Sequence, residues 1–299
     1  MKHLLILSGK GGTGKTTVAS AFIKIADAKA YADCDVDAPN LHLITDWQQR
    51  PETSDFYALP TGKIDPDLCI SCGICRESCR YNAISFDGEY KINPFACEGC
   101  GVCEYVCPAG AASMVPEPSG QLMFYQGDGK AFSTAQLSMG SGTSGLLVTE
   151  VKKQLKSADI NTDLVIIDGS PGIGCPVIAS LSGVDMVLIV AEPSISGISD
   201  MKRIISTAEK FNVKTAVCVN KYDTHLENTD KIIAFCQEAN LPFVGRIPFD
   251  YNAVRAINNG LTIVDIDCAS GEAVKEIYKK ALKLLFDNTG DSSRLFKIH

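Results

Sequence analysis

Lys15 and Thr16 close the stretch Ser8-Gly9-Lys10-Gly11-Gly12-Thr13-Gly14-Lys15-Thr16-Thr17, whose residue types converge on one task. Glycines let consecutive backbone N–H groups turn inward around phosphate oxygens, a lysine reaches the β and γ phosphates, and a hydroxyl ligates Mg²⁺. Gly9, Gly14, Lys15 and Thr16 satisfy the P-loop pattern, and Gly11, Gly12, Thr13 and Thr17 complete the expected cradle. ATP and Mg²⁺ are therefore the expected ligands. Carboxylates that could serve the same ligand follow two apolar segments. Ala30-Tyr31-Ala32-Asp33-Cys34-Asp35 is a short strand with an acidic end, and Asp163-Leu164-Val165-Ile166-Ile167-Asp168 is a buried-strand run ending in Asp168. At the carboxyl ends of parallel strands such groups face the ligand crevice, where they hold Mg²⁺ and orient the attacking water. Asp168 is the expected second contributor to the Mg²⁺ site.

Thirteen cysteines in a chain with no apparent export signal point to metal or redox chemistry, because reducing compartments keep thiols free. Eight fall in two runs, Cys69-x-x-Cys72-x-x-Cys75-x-x-x-Cys79 and Cys97-x-x-Cys100-x-x-Cys103-x-x-x-Cys107-Pro108. Both match the bacterial ferredoxin run, in which each triple serves one 4Fe-4S cluster and the fourth cysteine serves the other. The expected ligand sets are Cys69, Cys72, Cys75 and Cys107 for one cluster, and Cys97, Cys100, Cys103 and Cys79 for the second. Zinc ribbons use pairs of cysteines and leave the fourth cysteine of each run unexplained. Arg80 stands after Cys79 where proline is usual, a change that leaves the ligands intact and bears on the potential of the second cluster.

These residues require a strand–loop–helix start, with Leu4–Leu7 before the loop and a helix over Val18 to Ala28 after it. Further buried strands are expected at Asp185–Ala191 and Lys214–Asn220, alternating with helices near Leu146 to Leu155, Ile198 to Phe211, Thr229 to Ala239 and Ala273 to Phe286. From Thr61 glycine and cysteine displace the long apolar periodicity, with a small hairpin expected at Ala83–Phe86 and Tyr90–Ile92. Apolar strand character resumes at Leu122. The expected fold is an α/β P-loop NTPase with a mostly parallel sheet flanked by helices. It comprises residues 1–60 and 117–299, interrupted at 61–116 by a small bacterial-type dicluster ferredoxin insert of the α+β class.

Lys10, Lys15 and the intervening glycines resemble the deviant Walker motif of the MinD/ParA/Mrp and nitrogenase iron protein group. The resemblance implies a homodimer closed over sandwiched nucleotide, with Lys10 reaching the phosphates of the opposite subunit. It makes Asp35 part of switch I and the better candidate for the catalytic carboxylate, with Asp33 supporting it, and Asp168 with Gly172 part of switch II. Asn220, at a strand end, resembles the base-recognition element of the wider P-loop class. Pro248 and Asp250 lie in a loop that walls the base in this group. Cys175 matches a cluster-holding cysteine of the iron protein, but the stretch Gly140 to Gly145 has no second cysteine, which leaves a bridging cluster and a buried or relay role both open.

With 28 basic and 35 acidic side chains the formal charge is −7, and no long basic run is present. That argues against nucleic acid or an anionic membrane as partner, since clustered Lys and Arg hold both. No apolar run approaches a membrane span, so no membrane insertion is expected and the protein is expected to be cytoplasmic. The tail Ser292 to His299 is too short and too weakly amphipathic for a membrane-targeting helix. Two clusters beside a nucleotide switch imply ATP-gated electron transfer between a redox donor and a redox acceptor. An Fe-S cluster assembly or carrier factor of the Mrp kind is the alternative, and a ParA- or MinD-type spatial organiser fits less well.

Overall fold

The structure is a computed structural model that describes residues 1–45 and 47–287. The tail considered above lies outside the described residues. The chain begins with β1 (Lys2–Leu7), α1 (Lys15–Ala26), β2 (Ala30–Asp33) and β3 (Glu52–Tyr57). Then come β4 (Thr61–Ile64), α2 (Ile74–Ser78), β5 (Ile84–Phe86), β6 (Tyr90–Ile92), α3 (Val102–Tyr105) and β7 (Ala112–Val115). The long strands β8 (Pro118–Gly127) and β9 (Lys130–Leu137) lead into α4 (Ser144–Ser157), β10 (Leu164–Asp168), α5 (Cys175–Leu181) and β11 (Met186–Ala191). The remainder is α6 (Ile195–Lys210), β12 (Lys214–Asn220), α7 (Leu226–Glu238), β13 (Phe243–Ile247), α8 (Tyr251–Asn258) and α9 (Ala269–Phe286).

Among the described residues the main sheet runs β13-β12-β11-β1-β10-β2-β9-β8-β3. The ladders from β13 through β9 are parallel, and those of β9 with β8 and β8 with β3 are antiparallel. Because both faces are covered, the central strands are apolar at every position rather than alternately. In β1, Leu5 and Leu7 point into one core with Val148 and Val151 of α4 and Met201 and Ile204 of α6. Leu4 and Ile6 point into the other, with Val18 and Phe22 of α1 and Val274 and Ile277 of α9. Burying both faces fixes β1 in register, so the loop that leaves it at Ser8 starts from a rigid point.

Residues 58–117 lie between the paired ends of β3 and β8, where Tyr57 stands opposite Pro118. Within that stretch β4 pairs antiparallel with β7, and β5 with β6. The order strand, cysteine loop, short helix, strand therefore occurs twice, the second copy closing back on the first. The repeat extends to the backbone. Ser71 and Gly99, one residue before Cys72 and Cys100, both have positive φ (55° and 64°), as do Gly73 and Gly101 one residue after (81° and 74°). Gly99 is required for a second reason, since a Cβ there would stand 2.7 Å from the Pro60 carbonyl oxygen. No helix among the described residues is long and apolar enough to cross a membrane.

Candidate nucleotide site and two cysteine-lined hollows

The loop between β1 and α1 is held open by glycine. Gly12 and Gly14 adopt φ of 79° and 92°, and a Cβ on Gly14 would lie 2.2 Å from Asn220 Nδ2. Gly9 is equally confined, by Asp200 of α6 at 2.2 Å from the position a Cβ would take. The Thr13 hydroxyl oxygen is buried in this loop without a hydrogen-bond partner, a group that a phosphate oxygen would satisfy. Thr16 and Thr17 open α1, whose first N–H groups and positive dipole end also favour an anion. Residues and backbone thus fit a bound nucleotide.

Lys15 and the strand-end carboxylates meet at this point. Lys15 Nζ donates to Asp168 Oδ1 at 2.7 Å and lies 3.8 Å from Asp35 Oδ2, while Thr16 Oγ1 donates to Asp168 Oδ2 at 2.6 Å. Asp168 is fully buried and Lys15 5% exposed, so this charge pair is held in a medium that screens it poorly. Burial disfavours the Lys15 ammonium, yet Asp168, Asp33 and Asp35 together outweigh it and hold its pKa above the usual range. Burial pushes the Asp35 carboxyl up to about 6, with Asp168 adding and Lys15 opposing. Thr16, Asp35 and Asp168 bring together hydroxyl and carboxylate oxygens that could hold Mg²⁺, a hard cation that takes such ligands.

Asp33, expected to support Asp35 in catalysis, is placed differently. It is 1% exposed and accepts hydrogen bonds from the backbone of Asp35, Asn40 and Leu41, each at 3.0 Å. It shapes the turn that presents Asp35, and is a positioning residue. Burial, and then the charge of Asp168, push its carboxyl up to about 7. The turn is also tied to the loop after β10, since Cys34 N donates to Asp168 O at 2.7 Å and Ser170 Oγ to Cys34 O.

Beside α1 a hollow with an empty volume of about 640 Å³ is lined by Gly12, Gly14, Val18, Asn220, Pro248 and Phe249, among others. It is placed to take a base. Asn220 walls it but also donates from Nδ2 to Thr13 O at 2.7 Å, so the residue expected to read the base braces the phosphate loop. Asp223 accepts from Phe249 N at 2.7 Å and fixes the proline loop. Asp250 lines the hollow, but its carboxylate is spent capping α8 through Asn252 N at 2.9 Å and binding Ser270 Oγ at 3.1 Å. Glu192 was missed from sequence, and Lys221, beside Asn220 in the same segment, was given no role of its own. Lys10 Nζ lies 2.7 Å from Glu192 Oε2 and 3.1 Å from Ser194 Oγ, and Lys221 Nζ donates to Gly12 O at 2.9 Å.

No disulfide joins any of the thirteen cysteines. Cys69, Cys72, Cys75 and Cys107 line one hollow, with Ile64, Ile70, Tyr90 and Pro108 among its other walls and an empty volume of about 330 Å³. Cys79, Cys97, Cys100 and Cys103 line another, with Tyr81, Ile84, Ile92 and Met114 and about 340 Å³. Each hollow thus gathers three cysteines of one run and the fourth of the other. Among the described residues no three His, Cys, Asp or Glu side chains converge on a single-ion site. Backbone donors point at the sulfurs: Ala111 N lies 3.2 Å from Cys107 Sγ, and Gly62 N 3.5 Å from Cys97 Sγ. The N–H groups of Ala112 foremost, with Ala109, Ala111 and Gly110, hold the Cys107 thiol below its usual range against a smaller effect of burial. Cys175 is exposed at the start of α5, apart from both quartets, and Cys34, Cys218, Cys236 and Cys268 are buried.

Comparison with known proteins bears on the nucleotide-binding body first. An uncharacterized Methanocaldococcus jannaschii protein is 34% identical over 283 residues, covering 93% of this chain and 95% of its own. An iron-sulfur cluster carrier protein of Pyrococcus abyssi is 25% identical, covering 97% of this chain and 88% of its own. The fold is similar to the cell division ATPase MinD of Pyrococcus furiosus, with a TM-score of 0.56, 18% identity and coverage of 95% and 99%. MinD of Pyrococcus horikoshii, solved with Mg-ADP, gives a TM-score of 0.57 at 17% identity, with coverage of 95% and 96%. The profile of the CobQ/CobB/MinD/ParA nucleotide binding domain matches residues 4–263, from β1 through the base-side hollow. The chain accordingly belongs to the CobQ/CobB/MinD/ParA family of P-loop nucleotide-binding proteins.

Proposed function

We propose that the protein is an Mg²⁺-dependent ATPase that uses nucleotide binding and hydrolysis to control electron transfer through two 4Fe-4S clusters held by residues 61–116 as a ferredoxin module. The observation that carries this reading is the sorting of eight thiols into two quartets, each crossing between the two cysteine runs around its own hollow. A zinc site would instead draw four sulfurs to about 2.3 Å from one ion. When bound, the clusters supply one-electron carriers and the nucleotide supplies the free energy of gating.

The chain's own residues divide the work. Lys15 and the backbone of Gly11 to Thr17 hold phosphate oxygens, and Thr16 with Asp168 and Asp35 provides oxygen ligands for Mg²⁺. When phosphate arrives, the Lys15–Asp168 and Thr16–Asp168 hydrogen bonds must open and re-form around it. Asp168 heads the loop that contacts the Asp35 turn, so that rearrangement moves both switches together. Asp35 orients the attacking water, and electrostatic stabilisation of developing charge does the rest. Lys10 completes the site of a second copy in a homodimer closed over nucleotide.

Anaerobic purification with iron and sulfide counts and EPR tests the assignment. About eight irons per chain are expected from two 4Fe-4S clusters. Zinc, or four irons or fewer, sinks it.

A second reading is an Fe-S cluster carrier. It is favoured by relatives of that name in Pyrococcus abyssi and Pyrococcus horikoshii, which match nearly the whole chain at 25% and 24% identity. Transfer of iron and sulfide to an apo-ferredoxin, with loss of the protein's own absorbance, would establish it over electron transfer.

A further inference from the structure

The two cysteine-lined hollows are related by the repeat within residues 61–116, yet their surroundings differ. The loop of Cys97 to Cys103 lies against the rest of the protein: Gly99 abuts Leu59 and Pro60, and the ring of Phe95 rests on Gly140. Farther along the same segment Gly145 touches Cys175 at the start of α5. This hollow is the proximal one. The loop of Cys69 to Cys75 has an aliphatic collar instead. Leu68 and Ile70, 54% and 65% exposed, stand where the other loop has Ala96 and Glu98, while Ile74 and Val102 match at 40% and 39%, and Cys72 and Cys100 are both exposed.

Asp65, Asp67 and Glu77, all exposed, flank the collar residues in sequence, with Arg76 the one basic residue from 65 to 77. Residues 61–116 as a whole carry seven acidic and four basic side chains. An apolar centre with an acidic rim, beside an exposed cysteine, suits brief docking of a complementary surface: the collar excludes water at the point of transfer, and the rim steers the approach. We propose that the face around Leu68, Ile70, Cys72 and Ile74 is where an external redox protein docks, its own centre lying behind a basic contact surface. This rests on the reading of residues 61–116 as a cluster-bearing module, and it makes the quartet completed by Cys107 the outward-facing one.

Cytochrome c, whose haem edge is ringed by lysines, is the probe. Iron-loaded protein is reduced with dithionite, freed of excess reductant and mixed with ferric cytochrome c; one electron leaves the protein and reduces the haem, and no proton moves. At low ionic strength the second-order rate constant for Asp67→Lys combined with Glu77→Lys should fall about tenfold or more and lose its salt dependence. Ile70→Gln should slow transfer at every salt concentration. Tyr105→Lys, which adds a positive charge beside the proximal hollow, should leave the rate unchanged, as should all variants with the small acceptor ferricyanide after correction for its charge. Normal iron content and EPR in each variant excludes misfolding. Unchanged rates in the Asp67/Glu77 and Ile70 variants, or slowing by Tyr105→Lys alone, overturn the docking face while leaving the cluster assignment intact. Wild-type protein without iron would overturn the cluster assignment itself.

Discussion

Lys10 Nζ lies 2.7 Å from Glu192 Oε2 within one chain, with Ser194 Oγ 3.1 Å away on its other side. A lysine that serves a second copy must leave this pair, and Glu192 is also 3.9 Å from Lys221. Lys10→Ala should therefore leave nucleotide affinity nearly unchanged while abolishing nucleotide-dependent association and the hydrolysis that depends on it. Sedimentation with and without a non-hydrolysable ATP analogue, alongside phosphate release, measures both. Unchanged association in Lys10→Ala would refute the dimer.

Lys15→Ala should act on stability as well as binding. It leaves Asp168, Asp33 and Asp35 buried together without their cation, a loss on the order of 3–5 kcal/mol for a broken buried pair. Chemical denaturation at pH 7.5 should show the loss, and at pH 5 much of it should return as Asp33 and Asp35 take up protons. A variant as stable as wild type at pH 7.5 would show that the cluster of charges is solvated.

The pH dependence of the free protein has a defined sign. Asp35 and Asp33 have folded pKa values of about 6 and about 7, above the ordinary 3.8. Their contribution to stability is complete below pH 4 and is lost as pH rises through 6 to 7, since the unfolded chain releases these protons more readily. Mg²⁺ competes with the same protons, so the stabilisation given by Mg-ADP should be larger at pH 7.5 than at pH 5.5. Thermal melts of wild type and Asp35→Asn across that range check it, and Asp35→Asn should flatten the difference.

Gly14→Ala should abolish nucleotide binding through geometry alone. The residue sits at φ 92° with Asn220 Nδ2 where the new methyl would go, and the side chain it displaces braces Thr13. Relief by Asn220→Ala in the double variant would be partial, because the backbone strain of about 1–3 kcal/mol remains. Calorimetric titration with ADP provides the affinities.

The nucleotide site was legible because its chemistry is local. Glycines, Lys15 and Thr16 are adjacent in sequence, and Asp35 and Asp168 end segments whose apolar runs declare them as strands. The cysteine quartets were legible because the spacing repeats. What escaped depends on contacts between distant segments. Asp33 and Asp35 look alike in sequence, and only the fold shows Asp33 turned inward onto three backbone donors. Glu192 lies 182 residues from Lys10, with no pattern linking them. The edge strand β3, Glu-Thr-Ser-Asp-Phe-Tyr, buries only Phe56 and so lacks the alternation that marks a half-buried strand.

Whether nucleotide controls electron transfer is read by an EPR-monitored redox titration with and without a Mg²⁺-bound, non-hydrolysable ATP analogue. Two 4Fe-4S signals are expected, with a midpoint shift of at least about 60 mV in one of them, a tenfold change in a one-electron equilibrium. Two signals with the same midpoints in both states would contradict it.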